Sequence, residues 1–139
     1  MDRLQEIRER FASSEFQAFV GARLERVEPD HVDVSLRVEP RHLNLSGTLH
    51  GGMIATLADT ATGLAYRSGL GDDQSAVTSS LSVTFLRPGG PGVVTARGRV
   101  IRRGSRFGYA EADVEDAEGR LLARATATFT VLAAPSPGQ

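Results

Sequence analysis

The chain contains no cysteine, no tryptophan and no lysine. Without cysteine there is no disulfide scaffold, no thiol nucleophile and no thiolate metal site. Without lysine, all sixteen basic residues are arginine, and Schiff-base chemistry is excluded. The three histidines show neither HxH nor HExxH spacing, so no metal site is expected. No apolar run approaches the ~20 residues that span a bilayer, and Met1–Glu6 is charged, with no apolar signal core. A cytoplasmic protein without a membrane anchor is therefore expected. The net charge of −1 gives no bulk attraction to nucleic acid.

What remains is an ordinary globular mix, 40% apolar and 24% charged over 139 residues, the size of one domain. Leu4, Ile7, Arg8 and Phe11 are spaced as on a short amphipathic helix, and Ser13 or Ser14 can cap a second, ending at Gly21. From Ala22 the period changes to two. Val32, Val34, Leu36 and Val38 alternate with polar residues, which reads as a half-buried strand paired with Ala22–Glu28 across Pro29-Asp30.

Residues 41–52 read as a loop, after which Met53, Ile54, Leu57, Ala58, Ala61, Leu64 and Ala65 form one helical stripe. The residues between them are mostly small, so the helix is expected to be buried and wrapped by a sheet. Four alternating runs follow, one of which places Val77, Ser79, Leu81, Val83 and Phe85 on a single face. The breaks at Arg87–Pro91, Arg103–Ser105 and Asp116–Gly119 predict an antiparallel meander. The expected class is α+β: a long central helix wrapped by an antiparallel sheet of about five to six strands. The expected segments are 1–20 (helical), 21–132 (the sheet domain) and 133–139 (a disordered tail).

The stretch from Asn44 to Asp59 carries the chemistry. Gly51 and Gly52 open the long helix, where the first N–H groups lack internal partners and the dipole is positive. Those donors can stabilise an oxyanion, or the two glycines can simply make a tight turn. Asp59 lies mid-helix among small and apolar residues. A carboxylate there is costly unless paired or functional, although a solvated stripe with Thr56 and Thr60 also explains it. His50 can act as a base or can fix the loop, and His31 and His42 read as surface residues.

Thr78 begins a strand rich in hydroxyls, which either orient a reactant or decorate an exposed face. Arg87, Arg97, Arg99, Arg102, Arg103 and Arg106 cluster late in the chain. Guanidinium forks suit phosphate, and those flanking Gly104 are the best candidates, although solvated strand faces explain most of the cluster. Gly51 and Asp59 are eight residues apart, about 12 Å along a helix. A group acting on substrate must come within ~3 Å of it or act through one water. If both residues are catalytic, one copy of the helix cannot easily serve one reacting carbon, whereas two antiparallel copies in a symmetric dimer can.

The run N-x-x-G-x-x-H-G-G-x-x-x-x-x-x-D, here Asn44, Gly47, His50, Gly51, Gly52 and Asp59, resembles the PaaI-like hotdog-fold acyl-CoA thioesterases. The resemblance covers roughly residues 20–132 and extends to Phe85-Leu86-Arg87-Pro88 and the Asp116–Gly119 turn. It implies that the Gly51 N–H binds the thioester carbonyl and that Asp59 of the facing subunit is nucleophile or general base. It also implies that Asn44 positions water or the carbonyl, that Thr78 assists and that His50 supports the loop. The substrate's coenzyme A would meet Gly52, Arg87, Arg102, Arg103, Ser105 and Arg106. No separate cofactor is implied, and the expected assembly is a homodimer, paired again into a tetramer.

Leu57, Ala61, Thr62 and the N-terminal helices are expected to shape the acyl pocket. Two other readings stand beside hydrolysis. One is a non-catalytic acyl-CoA binding module. The other is a hotdog dehydratase acting on 3-hydroxyacyl thioesters, for which no suitable His–carboxylate pair is found.

Overall fold

The structure, a computed structural model, describes residues 2–133. Two short helices come first, α1 (Arg3–Ala12) and α2 (Glu15–Val20). The Asp2 side chain caps α1 by accepting from the Gln5 N–H, and Ser14 caps α2 by accepting from the Gln17 N–H. Gly21 closes α2 in the left-handed region at φ 86°, where glycine pays no Cβ penalty. The strands are β1 (Ala22–Glu28), β2 (His31–Arg37), β3 (Gln74–Phe85), β4 (Val93–Arg103), β5 (Phe107–Glu115) and β6 (Leu121–Ala133). The long helix α3 (Gly51–Arg67) lies between β2 and β3 in sequence. Ala133, expected in the tail, ends β6; the rest of that tail, 134–139, lies outside the described residues.

The six strands form one antiparallel sheet in the order β1-β2-β4-β5-β6-β3. The expected meander holds only for β4, β5 and β6. β3 leaves its sequence neighbour and pairs with β6 at the far edge, while β2 takes the place beside β4. The segment between β3 and β4 is fixed on the way, with the Leu86 and Arg87 N–H groups donating to the Leu122 carbonyl at 2.8 and 3.1 Å.

Helix α3 packs on one face of this sheet and touches all six strands. Ile54, Leu57, Ala58, Ala61, Thr62, Ala65 and Tyr66 are its buried residues, so the buried stripe includes Thr62 and Tyr66, while Met53 and Leu64 are only half-buried. The Thr62 hydroxyl is satisfied by donating to the Ala58 carbonyl at 2.8 Å. Burial of this stripe against Val32, Val34, Leu36, Val94, Ala96, Ala112 and Val114 is the main driving force, at about 25 cal/mol per Å² of apolar surface.

The small residues permit a close helix–sheet approach. A Cβ on Gly98 of β4 would lie 2.5 Å from the Ala61 carbonyl oxygen, and both are backbone-fixed. Gly98→Ala is therefore expected to cost about 1–3 kcal/mol, as overpacked cores do. Gly90, with nothing within 4 Å of its virtual Cβ, should accept alanine at under ~0.5 kcal/mol. Urea unfolding of both variants checks the contrast.

Two bulges decide what the strands present. In β3 the register shifts between Thr78 and Ser80. Ala76 and Thr78 therefore face the helix side before the bulge, and Leu81 and Val83 after it. The face expected through Val77 and Ser79 is thus broken, and Val77 is half-exposed. In β4 the shift lies between Val100 and Arg102, leaving Ile101 exposed and Arg103 opposite Gly108.

Candidate active site

The loop before α3 is held by Asn44. Its Oδ1 accepts from the N–H groups of Ser46 and Thr48 at 2.9 and 3.1 Å, and its Nδ2 donates to Thr48 Oγ1 at 2.9 Å. The amide oxygen is thus spent on the loop, and one Nδ2 proton remains for a ligand. Thr48, which the sequence did not single out, has become its partner. The Leu49 N–H donates to the Gly89 carbonyl at 3.0 Å and the His50 N–H to the His42 carbonyl at 2.9 Å, so the loop is anchored at its end.

His42 corrects an expectation. It is buried, at 4% exposure, with Nδ1 accepting from the Glu39 N–H at 3.0 Å and Nε2 lying 2.7 Å from the Val20 carbonyl oxygen. With Nδ1 accepting, Nε2 carries the proton and donates. His42 ties α2 to the loop.

His50 is the N-cap of α3, its Nδ1 accepting from the Gly52 N–H at 2.8 Å. This consumes the Gly52 N–H, so the expected contact from that group to substrate is not available. The Met53 and Ile54 N–H groups both donate to the His50 carbonyl. Of the helix's first N–H groups, that of Gly51 alone has no acceptor among the described residues. Gly51 lines a cleft of about 390 Å³ with Asn44, Thr48, Phe85, Leu86 and Arg87. A Cβ on it would touch the Phe85 ring at 3.3 Å.

Asp59 lies elsewhere. Its Oδ1 accepts from Thr78 Oγ1 at 2.9 Å, the hydroxyl that the β3 bulge turns onto the helix side. Both line a cleft of about 230 Å³ with Gln17, Thr60, Leu64 and Arg67. The walls come from the half-buried side of α3. Leu57, Ala61 and Thr62, expected to shape the pocket, are fully buried in the core instead. The chain therefore brings Asp59 to Thr78 and Gly51 to Asn44, but keeps the two pairs in separate clefts.

The arginines divide. Arg103 is committed: Nε and Nη2 donate to Asp30 Oδ1 at 3.0 and 2.7 Å, Nη2 also reaches the Ala65 carbonyl, and the guanidinium lies 4.6 Å from the Tyr66 ring centroid. The β4 bulge turns it inward, which removes it as a phosphate ligand. Arg97 pairs with Asp33 and Glu115, and Arg99 with Glu111 and Asp113, across neighbouring strands. Arg87, Arg102 and Arg106 are exposed and have no acidic partner among the described residues, and Ser105 is exposed beside them.

Arg67, which the sequence reading missed, is half-buried in the Asp59 cleft. Burial, then the charges of Arg10 and Arg3, hold its pKa below the ordinary arginine value. Among the described residues there is no group of three or more His, Asp or Glu that could hold a metal. No described helix is long and apolar enough to cross a membrane.

The thioesterase superfamily model matches residues 46–123. A medium/long-chain acyl-CoA thioesterase, YigI of Escherichia coli, is 28% identical over 84% of each chain. Among solved structures, a thioesterase family protein from Silicibacter pomeroyi superposes with a TM-score of 0.88 at 28% identity, over 94% of this chain and 98% of that one. The E. coli PaaI protein from the phenylacetic acid degradation operon gives 0.84 at 24% identity, over 92% and 91%. The chain belongs to the thioesterase superfamily, in its PaaI-like hotdog branch, and is a thioester hydrolase.

Proposed function

We propose that the chain hydrolyses acyl-coenzyme A to a free carboxylic acid and coenzyme A, at sites composed across two copies of itself. The observation that carries this is the separation of the two half-sites. The open N–H at Gly51 and the Asp59–Thr78 pair occupy different clefts of one chain. They lie about 12 Å apart along α3, too far to act on one carbon together.

Both half-sites abut the same strand, at Phe85 and at Thr78. β3 is a twelve-residue edge of the sheet with Val77 and Phe85 half-exposed on it. Such an edge is a template for pairing. Antiparallel pairing of β3 with its copy, centred between Thr78 and Phe85, brings the Gly51 end of one chain against the Asp59 end of the other. A two-fold axis then builds two identical sites. A second pairing of such dimers into a tetramer would leave these sites as they are.

In each site the thioester carbonyl oxygen accepts from the Gly51 N–H and, as it becomes an oxyanion, meets the positive end of α3. Asp59 attacks the carbonyl carbon, or removes a proton from the water that does. Thr78 donates to one carboxylate oxygen and so holds the other toward the substrate. The C–S bond breaks and coenzyme A leaves as thiolate. If Asp59 attacked, water then hydrolyses the anhydride. Asn44 and His50 act by holding the loop and helix start. Arg87, Arg102 and Arg106 are free to meet the coenzyme's phosphates. No cofactor enters beyond the coenzyme that the substrate carries.

The test is release of free thiol from a panel of acyl-CoA substrates, read with a thiol reagent. Saturable turnover of at least one acyl-CoA is expected. A saturable thermal shift with acyl-CoA and no thiol release would replace this reading with a binding module.

A further inference from the structure

The cleft beyond Asp59 does not end at the catalytic carboxylate. Gln17, Leu64 and Arg67 line both it and a neighbouring hollow of about 240 Å³ beneath α1 and α2, so the two form one continuous path. Two groups along that path lack partners. The Arg67 guanidinium makes no hydrogen bond or ion pair among the described residues. Gln17 Oε1 is buried with no partner, while Nε2 of the same amide lies 3.5 Å from Thr60 Oγ1.

Leaving such groups unsatisfied is costly. The charge nearby makes the cost specific. Arg3 and Arg10 both depress the Arg67 pKa, and Glu6 is the acidic group that opposes them. Glu6 is already engaged, at 3.2 Å from Arg3 and 3.6 Å from Arg10.

Resting on the thioesterase reading, we infer that this cleft receives the acyl group, and that the preferred acyl group ends in a carboxylate held by Arg67 and Gln17. The substrate class is then the coenzyme A monothioester of a dicarboxylic acid. A guanidinium takes a carboxylate through charge-assisted, often paired, hydrogen bonds. The Gln17 amide, turned over so that Thr60 donates to its oxygen, presents its NH₂ to the same carboxylate. A hydroxyl would satisfy Gln17 but would leave the surplus positive charge of Arg67, Arg10 and Arg3 unopposed.

Asp59 and Arg67 are eight residues apart, about 12 Å on the helix axis, and side chains on a helix lean toward its N-terminus. The Arg67 head therefore reaches back toward Asp59, and chains of succinyl to adipyl length fit the remaining gap.

The experiment compares kcat/KM for succinyl-, glutaryl- and adipyl-CoA with butyryl-, valeryl- and hexanoyl-CoA, in wild type and Arg67→Met. The best carboxylated substrate should exceed its neutral counterpart by about tenfold or more. In Arg67→Met that ratio should fall by about tenfold or more, with partial recovery in Arg67→Lys. Equal or better turnover of the neutral chains, or an unchanged ratio in Arg67→Met, would overturn the inference and leave the thioesterase reading intact. A better rate with 6-hydroxyhexanoyl-CoA than with adipyl-CoA would also overturn it. If no substrate releases thiol, the thioesterase reading fails, and calorimetric affinities for the same pairs decide the acyl preference. Tighter adipyl-CoA binding, lost in Arg67→Met, supports it, and equal affinities contradict it.

Discussion

Asp59→Asn is expected to lower kcat at least about a hundredfold, a loss of ~2.7 kcal/mol in transition-state stabilisation. Asparagine keeps an oxygen that can accept from Thr78 Oγ1, now 2.9 Å from the carboxylate, so the contact between α3 and β3 survives. What it loses is the charge, and with it both nucleophilicity and the ability to take a proton. The structural cost should stay within about 1 kcal/mol, the worth of one hydrogen bond. KM should change far less than kcat, because Asp59 acts on the reacting carbon rather than on the coenzyme. Steady-state kinetics on the best acyl-CoA, together with urea unfolding, separates these effects. Full activity in Asp59→Asn would remove the carboxylate from the mechanism.

Much of this site was legible in the sequence because it is local. Asn44, His50, Gly51 and Asp59 sit on one loop and one helix, where spacing fixes geometry. The buried stripe of α3 and the alternation of β2 and β6 were legible for the same reason. Where sequence reading failed, tertiary pairing had intervened. The bulge at Ser79 shifts the face of β3 by one residue, and nothing in the run Val77–Phe85 marks it. The bulge at Ile101 turns Arg103 inward to Asp30 and Tyr66, so a residue that looked free for phosphate is spent.

β3 was expected beside β4 because short connections favour neighbours, yet it pairs with β6. His42 read as surface because its partners, Glu39 and the distant Val20 carbonyl, give no periodic signal. Arg67 was overlooked because its significance is a missing partner, which only the assembled α1, α2 and α3 reveal. The eight-residue interval from Gly51 to Asp59 was visible from the start, and its consequence is the claim most open to direct test.

Gly51→Pro isolates the other half-site. Proline lacks the N–H that would hold the oxyanion, yet it is favoured at the first helical position. His50, the residue before it, is already extended at φ −60° and ψ 133°, the conformation a following proline demands. The added ring meets Phe85, whose side chain is half-exposed and can yield. Losing one oxyanion donor costs about 10²–10³ in kcat, so Gly51→Pro should be nearly inactive while its helix remains intact by circular dichroism.

Each variant spoils a different half of the site, and the decisive measurement mixes them. Asp59→Asn and Gly51→Pro chains, co-expressed or refolded together in equal amounts, form hybrid dimers as half of the population. Each hybrid holds one site built from an intact Gly51 of one chain and an intact Asp59 of the other. If the site is composed across two copies, thiol release from the mixture should rise to about a quarter of the wild-type rate. If it stays at the sum of the two nearly inactive variants, each site lies within one chain and the composite-site mechanism is wrong.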